Sequence, residues 1–239
     1  MSAPGQPRIL PCGNAALTVE FGREIDAAVN RRVLALDAHS GRVPGVLETV
    51  PTYRSLLVHY DPVATDFLTL KTALLDVAAD LPETPRTRRL WRIPVVYGGE
   101  FGIDLEETAD RHGLSPADLI RLHSAPVYRV YMSGFLPGFA YLGGLDPRIA
   151  TPRRENPRAW TPAGTISIGG MQALVASIEA PSGWRLLGRT PVRNFMLPRD
   201  PVFLLKPGDE VVFAPIRPDQ WEVLDRAAEA GDLVAEAIE

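Results

Sequence analysis

Apolar positions in the first ninety residues follow two alternating periods. Residues 8–11 and 16–21 read as two short strands around a Gly13-Asn14 turn. Residues 25–38 instead place Ile25, Ala28, Val29, Val33 and Leu36 at helical spacing. Asp26 falls in the first turn, where the helix dipole favours an acid. Residues 46–50 and 55–60 read as strands around Pro51-Thr52, and Asp66 caps a second helix with Phe67, Leu70, Leu74, Leu75 and Val77 apolar. The order β-β-α-β-β-α predicts a small α+β sandwich. Leu81-Pro82-Glu83-Thr84-Pro85 breaks both periods with two prolines and predicts a linker.

A strand over residues 90–97 opens a second unit. Two short helices follow, one capped by Asp104 and ending before Gly113, the other opened by Ser115-Pro116-Ala117-Asp118. Residues 123–218 then change character, with 13 prolines and 10 glycines in 96 positions. Short apolar runs lie between them at 127–132, 165–168, 173–178, 185–187, 203–205 and 211–213. Many short strands with Gly/Pro turns predict an all-β barrel or sandwich. Lys206-Pro207-Gly208-Asp209 reads as the turn between the last two, and residues 219–239 as an acidic amphipathic helix with Trp221, Leu224, Ala228 and Leu233 apolar. The expected division is 1–85, 86–218 and 219–239.

Composition narrows the function classes. The chain has 239 residues, 46% apolar and 23% charged, enough to bury a core without covalent staples. Cys12 is the single cysteine, and His39, His59, His112 and His123 are scattered, so no disulfide framework and no metal ligands are expected. Neither a membrane-spanning apolar run nor a signal peptide is visible, which leaves the cytoplasm and no membrane partner as the expectation. A net charge of −4 argues against general nucleic-acid binding. Of 25 basic residues, 23 are arginine, so an anion site here would be built from planar guanidinium forks. Residues 147–199 hold eight arginines against Glu155 and Glu179, a local +6 that leaves −4 − 6 = −10 on the remainder. That contrast favours an anion-binding or partner-binding surface over an ordinary solvated face.

Candidate chemistry concentrates in residues 134–147, where glycines and aromatic rings interleave at no helical spacing. Two readings stand: a barrel corner with rings packed inward, or a pocket wall with backbone and rings facing a ligand. His123, beside the second short helix, could be a general base, but the residues alone favour a helix cap or a core histidine. The glycines at 164, 169 and 170 open no helix, and neither a Gly-x-Ser-x-Gly elbow nor a Walker phosphate loop is present.

The chain resembles the Kip-inhibitor-like proteins, a family that also takes in allophanate hydrolase subunit 1 and the B-subunit of 5-oxoprolinase. The resemblance is carried by Ile93-Pro94-Val95-Val96-Tyr97-Gly98-Gly99, Leu122-His123-Ser124, the 134–146 segment, Thr151-Pro152-Arg153-Arg154, Pro162-Ala163-Gly164, Gly188-Arg189-Thr190-Pro191 and Lys206-Pro207-Gly208-Asp209. It also takes in residues 16–22 and 53–58, and so nearly the whole chain except the acidic tail. The implied fold is α+β, a small ferredoxin-like N-terminal domain followed by a cyclophilin-like β-barrel domain. The implied function is one subunit of a two-subunit ATP-dependent amidohydrolase acting on a small amide or lactam. Its partner would be a homologous second subunit, and ATP would bind there or at the interface. One branch of the family instead inhibits a sensor histidine kinase. On this resemblance His123 is expected as acid/base, Gln172 as an amide hydrogen-bonder, and Arg153, Arg154 and Arg189 as anion contacts. Phe135, Phe139 and Trp184 are expected to wall the pocket. The chain departs from the family pattern at Ala173, Ser182 and Met196, around that same pocket.

Overall fold

A computed structural model describes residues 6–81 and 89–238. The chain divides into two compact units, Met1–Arg86 and Thr87–Glu239. Residues 82–85 of the expected linker lie outside the described residues.

The first unit is one four-stranded antiparallel sheet with two helices. Its strands are β1 (Arg8–Pro11), β2 (Ala16–Glu20), β3 (Val46–Pro51) and β4 (Ser55–Tyr60), in the spatial order β1-β2-β4-β3. Helices α1 (Ala27–Ser40) and α2 (Phe67–Ala79) each follow a strand pair. This is the ferredoxin-like order, with its edge strand supplied from the amino-terminal side instead of the carboxy-terminal side. Both helices begin at an aspartate outside the first turn. Asp26 accepts from the N–H groups of Ala28 and Val29, and Asp66 from those of Leu68 and Thr69. Strict alternation in β4 buries Leu56, Val58 and Tyr60 against Val33, Leu36, Leu70 and Leu74 of the helices.

The second unit is a closed barrel. Its strands are β5 (Leu90–Tyr97), β6 (Tyr128–Ser133), β7 (Ala140–Gly143), β9 (Thr165–Gly169), β10 (Gln172–Val175), β12 (Arg185–Arg189) and β13 (Glu210–Pro215). They run β12-β9-β10-β7-β6-β13-β5, and β5 closes the ring by pairing again with β12. Two further strands, β8 (Arg158–Thr161) and β11 (Ala180–Ser182), form a separate two-stranded ribbon. Helices α3 (Leu105–Arg111) and α4 (Pro116–Ser124) add Leu105, Ala109, Leu119 and Leu122 to the barrel core. Period two splits β10 between two cores. Ala173 and Val175 face the barrel interior, while Leu174 joins Phe139, Ala176, Ala180 and Trp184 in an outer cluster.

The tail corrects the expected helix over residues 219–239. Helix α5 covers only Trp221–Glu229, and Glu236–Ile238 form strand β14, antiparallel to the first half of β5. Residues 203–205 likewise form no strand, only an isolated bridge between Phe203 and Phe195. Among the described residues no helix is long and apolar enough to cross a membrane.

Closure leaves no room at Gly102. A Cβ there would sit 1.9 Å from the carbonyl oxygen of Leu187, which itself accepts from Gly98 N–H at 3.1 Å. The obstacle is backbone on both sides, so Gly102→Ala is expected to cost about 1–3 kcal/mol, as core overpacking does. Thermal unfolding of the single variant checks this, and an unchanged midpoint would show that the β5–β12 seam is looser than its geometry.

Candidate functional site

The loop between β6 and β7, residues 134–139, is fixed by two side chains from elsewhere in the chain. The Ser177 hydroxyl donates to the Pro137 carbonyl, and the Asn194 amide donates to the Gly138 carbonyl. Asn194 is fully buried, and its side-chain oxygen accepts from Leu205 N–H at 2.8 Å. One residue thus ties this loop to the turn at 203–207. Gly138 is required where it stands, because its φ is +76° and a Cβ would lie 2.7 Å from that of Phe195.

Phe135 is the one non-glycine at positive φ (72°) among the described residues. A left-handed backbone costs an aromatic residue on the order of 1–3 kcal/mol. No burial offsets that cost, since Phe135 is 67% exposed. Its ring meets the edge of Phe139 at 5.8 Å. Beside it opens a groove of about 500 Å³, lined by Phe135, Leu136 and Pro137 from the loop and by Phe203, Leu205 and Lys206 from the turn. Phe203 is held by stacking on Phe195 at 5.3 Å. Apolar walls with one cation, on a pinned loop, are the features of a small-molecule site.

His123 lies elsewhere. It sits in the last turn of α4, fully buried, stacked on Phe213 at 4.9 Å. A 2.8 Å hydrogen bond joins its Nδ1 to Tyr97 Oη, and Nε2 has no partner. Burial lowers its pKa to about 3, so the ring is neutral at physiological pH. The same burial pushes the Tyr97 and Tyr128 phenols well up. The ring expected as acid/base is thus sealed in the barrel core and is not among the residues lining the groove.

The arginines are also reassigned. Asp104 is the N-cap residue of α3, but its side chain makes no capping hydrogen bond. Its carboxylate, 2% exposed, accepts from Arg158 at 2.6 and 2.9 Å, from Arg154 at 3.3 Å and from Leu186 N–H at 2.8 Å. Glu107 takes Arg111 and Arg185, both at 2.9 Å. The Arg111 hydrogen bond, with Arg185 behind it, holds Glu107 below the ordinary carboxylate range. The anion that Arg154 meets is therefore a residue of its own chain. Arg189 donates to the Ala163 carbonyl and lies over the Trp221 ring at 4.8 Å, and burial lowers its pKa. Arg153 alone of the three expected anion contacts is exposed and has no ion pair among the described residues.

Of the expected pocket wall, only Phe135 lines the groove. Phe139 and Trp184 are core, 3% and 8% exposed, with Tyr141 edge-on to Trp184 at 5.8 Å. Gln172 begins β10, half-buried, on the face that carries Leu174. Sequence reasoning missed Phe203, Lys206, Ser177 and Asn194. Lys206 did leave a signal, as one of two lysines in an arginine-rich chain. Among the described residues no group of three or more His, Cys, Asp or Glu could hold a metal ion.

A closed barrel that shares its core with two short helices, a pinned loop beside an apolar groove and a separate ferredoxin-like sheet define a two-unit α+β protein. The chain belongs to the family described as carboxyltransferase domain, subdomain C and D, whose model matches residues 7–205. It is 41% identical over 217 residues to the B-subunit of 5-oxoprolinase from Bacillus subtilis (strain 168), covering 85% of this chain and 90% of that protein. Among solved structures it matches TTHA0988 at 37% identity and a TM-score of 0.75, over 84% of this chain. The chain spans 40% of the length of that structure. The Kluyveromyces lactis urea carboxylase shares the fold at a TM-score of 0.80 and 19% identity, over 100% of this chain and 24% of that one.

Proposed function

We propose that this chain is one subunit of a two-subunit, ATP-dependent amidohydrolase of the 5-oxoprolinase type, acting on a small amide or lactam. The observation that carries this reading is the 41% identity to the Bacillus subtilis 5-oxoprolinase B-subunit across nearly the full length of both. The inhibitor role that the sequence resemblance also implies gains no support from these relatives.

Opening an unactivated amide needs the carbonyl carbon made electrophilic, and phosphorylation of its oxygen does that. This chain supplies little of that machinery. The glycines at 164–170 end in a strand and a turn instead of opening a helix, and the Arg154, Arg158 and Arg185 guanidinium groups are engaged by Asp104 and Glu107. These residues do not fit a triphosphate, so we place ATP on the second subunit. The groove would hold the substrate, and the exposed Arg153 would contact an anion of the substrate or of the second subunit.

The chain alone is expected to show negligible turnover, for want of a nucleophile or a phosphate cradle. Co-expressed with a homologous second subunit, it is expected to hydrolyse 5-oxoproline with stoichiometric ATP consumption. Hydrolysis by the isolated chain, or a complex inert towards a panel of lactams and ureides, would refute the reading.

A further inference from the structure

We infer that Asn194 is the positioning residue of the groove: with one side-chain amide it holds both walls and keeps Phe135 in the left-handed backbone that presents its ring to the cleft. The inference rests on the reading of the groove as the substrate site and adds the residue that sets its shape.

Asn194 does not line the groove, yet it bonds to a lining residue on each wall. Its amide donates to the Gly138 carbonyl of the loop, and its side-chain oxygen accepts from Leu205 N–H of the turn at 2.8 Å. The Gly138 carbonyl can only accept and Leu205 N–H can only donate, so the amide has one orientation. Leucine would offer neither function, and a carboxylate would face the Gly138 carbonyl without a proton to give. A fully buried amide is costly unless both of its ends are paired, and here both are. The main chain of Asn194 is held in turn. Its carbonyl accepts from Leu204 N–H at 3.0 Å and from Arg199 Nη2 at 3.4 Å.

Hydrogen bonds within the loop close it without reaching Phe135. Gly134 N–H donates to the Phe139 carbonyl at 3.2 Å, and Phe139 N–H to the Leu136 carbonyl at 3.1 Å. The Pro137 and Gly138 carbonyls are instead taken by Ser177 and Asn194. Gly138 also sits tightly among their neighbours, since a Cβ on it would lie 2.7 Å from Phe195 Cβ and 3.1 Å from Ser177 Cβ. Between the closed base and the anchored pair, Phe135 absorbs the bend at a φ of 72°. An ordinary hydrogen bond and the strain of one left-handed aromatic are of similar size, so losing one anchor is enough to let that backbone relax. The opposite wall hangs on the same residue. Phe203 stacks at 5.3 Å on Phe195, the chain neighbour of Asn194. Walls held in place before a ligand arrives reduce the ordering cost of binding.

The test is a double-mutant cycle on the full chain, read by thermal unfolding. In the wild type, Phe135→Gly should raise the midpoint by about 2–4 °C, because glycine takes a positive φ without strain. In Asn194→Ala the backbone is already relaxed, and the same change should give no rise. If Asn194→Ala does not fold, Ser177→Ala takes its place, since it frees only the Pro137 carbonyl. Phe135→Gly should then gain less than about half of its wild-type rise, the sign of two coupled sites. No rise in the wild type, or the same rise in every background, overturns the inference. A kinetic readout separates positioning from plain stability. In the assembled complex acting on 5-oxoproline, Asn194→Ala and Ser177→Ala should each raise KM about fivefold or more with kcat held within about twofold, the mark of lost uniform binding. Coupled midpoints with an unaltered KM, in a complex that hydrolyses 5-oxoproline, overturn the inference and spare the proposed function. Coupled midpoints in a chain whose complex hydrolyses no lactam leave the clamp standing and sink the proposed function.

Discussion

Replacing Asp104 with alanine is expected to cost the barrel unit about 3–5 kcal/mol, the range for removing one partner of a buried ion pair. The carboxylate is nearly inaccessible and serves two guanidinium groups and one main-chain N–H at once. Truncation leaves Arg158, Arg154 and Leu186 N–H without their acceptor in a partly dry site, and that desolvation dominates the loss. Asp104→Asn keeps an oxygen for Leu186 but drops the charge, so it should fall between wild type and alanine. Removing the closer pair together, as Asp104→Leu with Arg158→Leu, should recover part of the loss, because Arg158 is then not stranded and Arg154 keeps Glu107 at 3.8 Å. Denaturant unfolding of the three variants reads these differences. A loss below about 1 kcal/mol for alanine would place this pair among ordinary surface ion pairs, and the arginine-rich segment would again need an external anion to explain it.

The second large effect is on the pH dependence of stability. His123 has a pKa of about 3 in the folded chain and about 6.5 when unfolded. Between those values the unfolded state holds a proton that the folded state does not. Folding is therefore weakened as pH falls from about 6.5 towards 3, by about 1.4 kcal/mol per pH unit, and nothing is lost above 6.5. His123→Phe keeps a ring to stack on Phe213 and removes the titration. The variant loses the Tyr97 contact at every pH, so it should be the less stable protein at pH 7. Relative to wild type it should gain steadily between pH 6 and pH 4. Carboxylates that titrate in both proteins cancel in that difference. Parallel stability curves for the two would mean that His123 is not sealed from water.

The contrast between what was legible and what was not follows from where each signal lives. The first unit was readable almost to the residue, because its strands and helices each bury one face and so carry a clean period. Strand β4 and the Asp66 cap are the clearest cases, while Asp26, expected in the first turn of α1, is its cap. In the barrel, β9 is buried along its whole length and reads as a short apolar run that periodicity can place but not orient. β14 has no pattern of its own. Glu236-Ala237-Ile238 becomes a strand only because β5 offers an unpaired edge there, which is a tertiary fact. The site was misread for a related reason. Charge density pointed to residues 147–199, but Asp104 and Glu107, which absorb that charge, lie some fifty residues upstream and reach it only through the fold. Aromatic and glycine spacing did flag the 134–139 loop. Whether each ring turned inward, as Phe139 does, or outward, as Phe135 does, was set by Ser177 and Asn194, distant in sequence.

Strand β5 meets its parallel neighbour late. Arg89 and Asp209, which flank the start of that pairing, are 120 positions apart. At roughly 5–20 residues per second, β5 leaves the ribosome on the order of ten seconds before β13 exists. Throughout that interval it is a nascent strand with two open edges and three residues, Ile93, Val95 and Val96, that will later be fully buried. Such a segment is an invitation to intermolecular pairing. Arg92 and Pro94 interrupt it, one by charge and one by lacking an N–H, as residues that guard aggregation-prone strands do. In the finished barrel Pro94 pairs with Ala214 of β13 and falls, on the other edge of β5, in the gap between the β14 pairing, which ends at Arg92, and the β12 pairing, which starts at Val96. Its placement makes sense for a chain whose hazard precedes its native state.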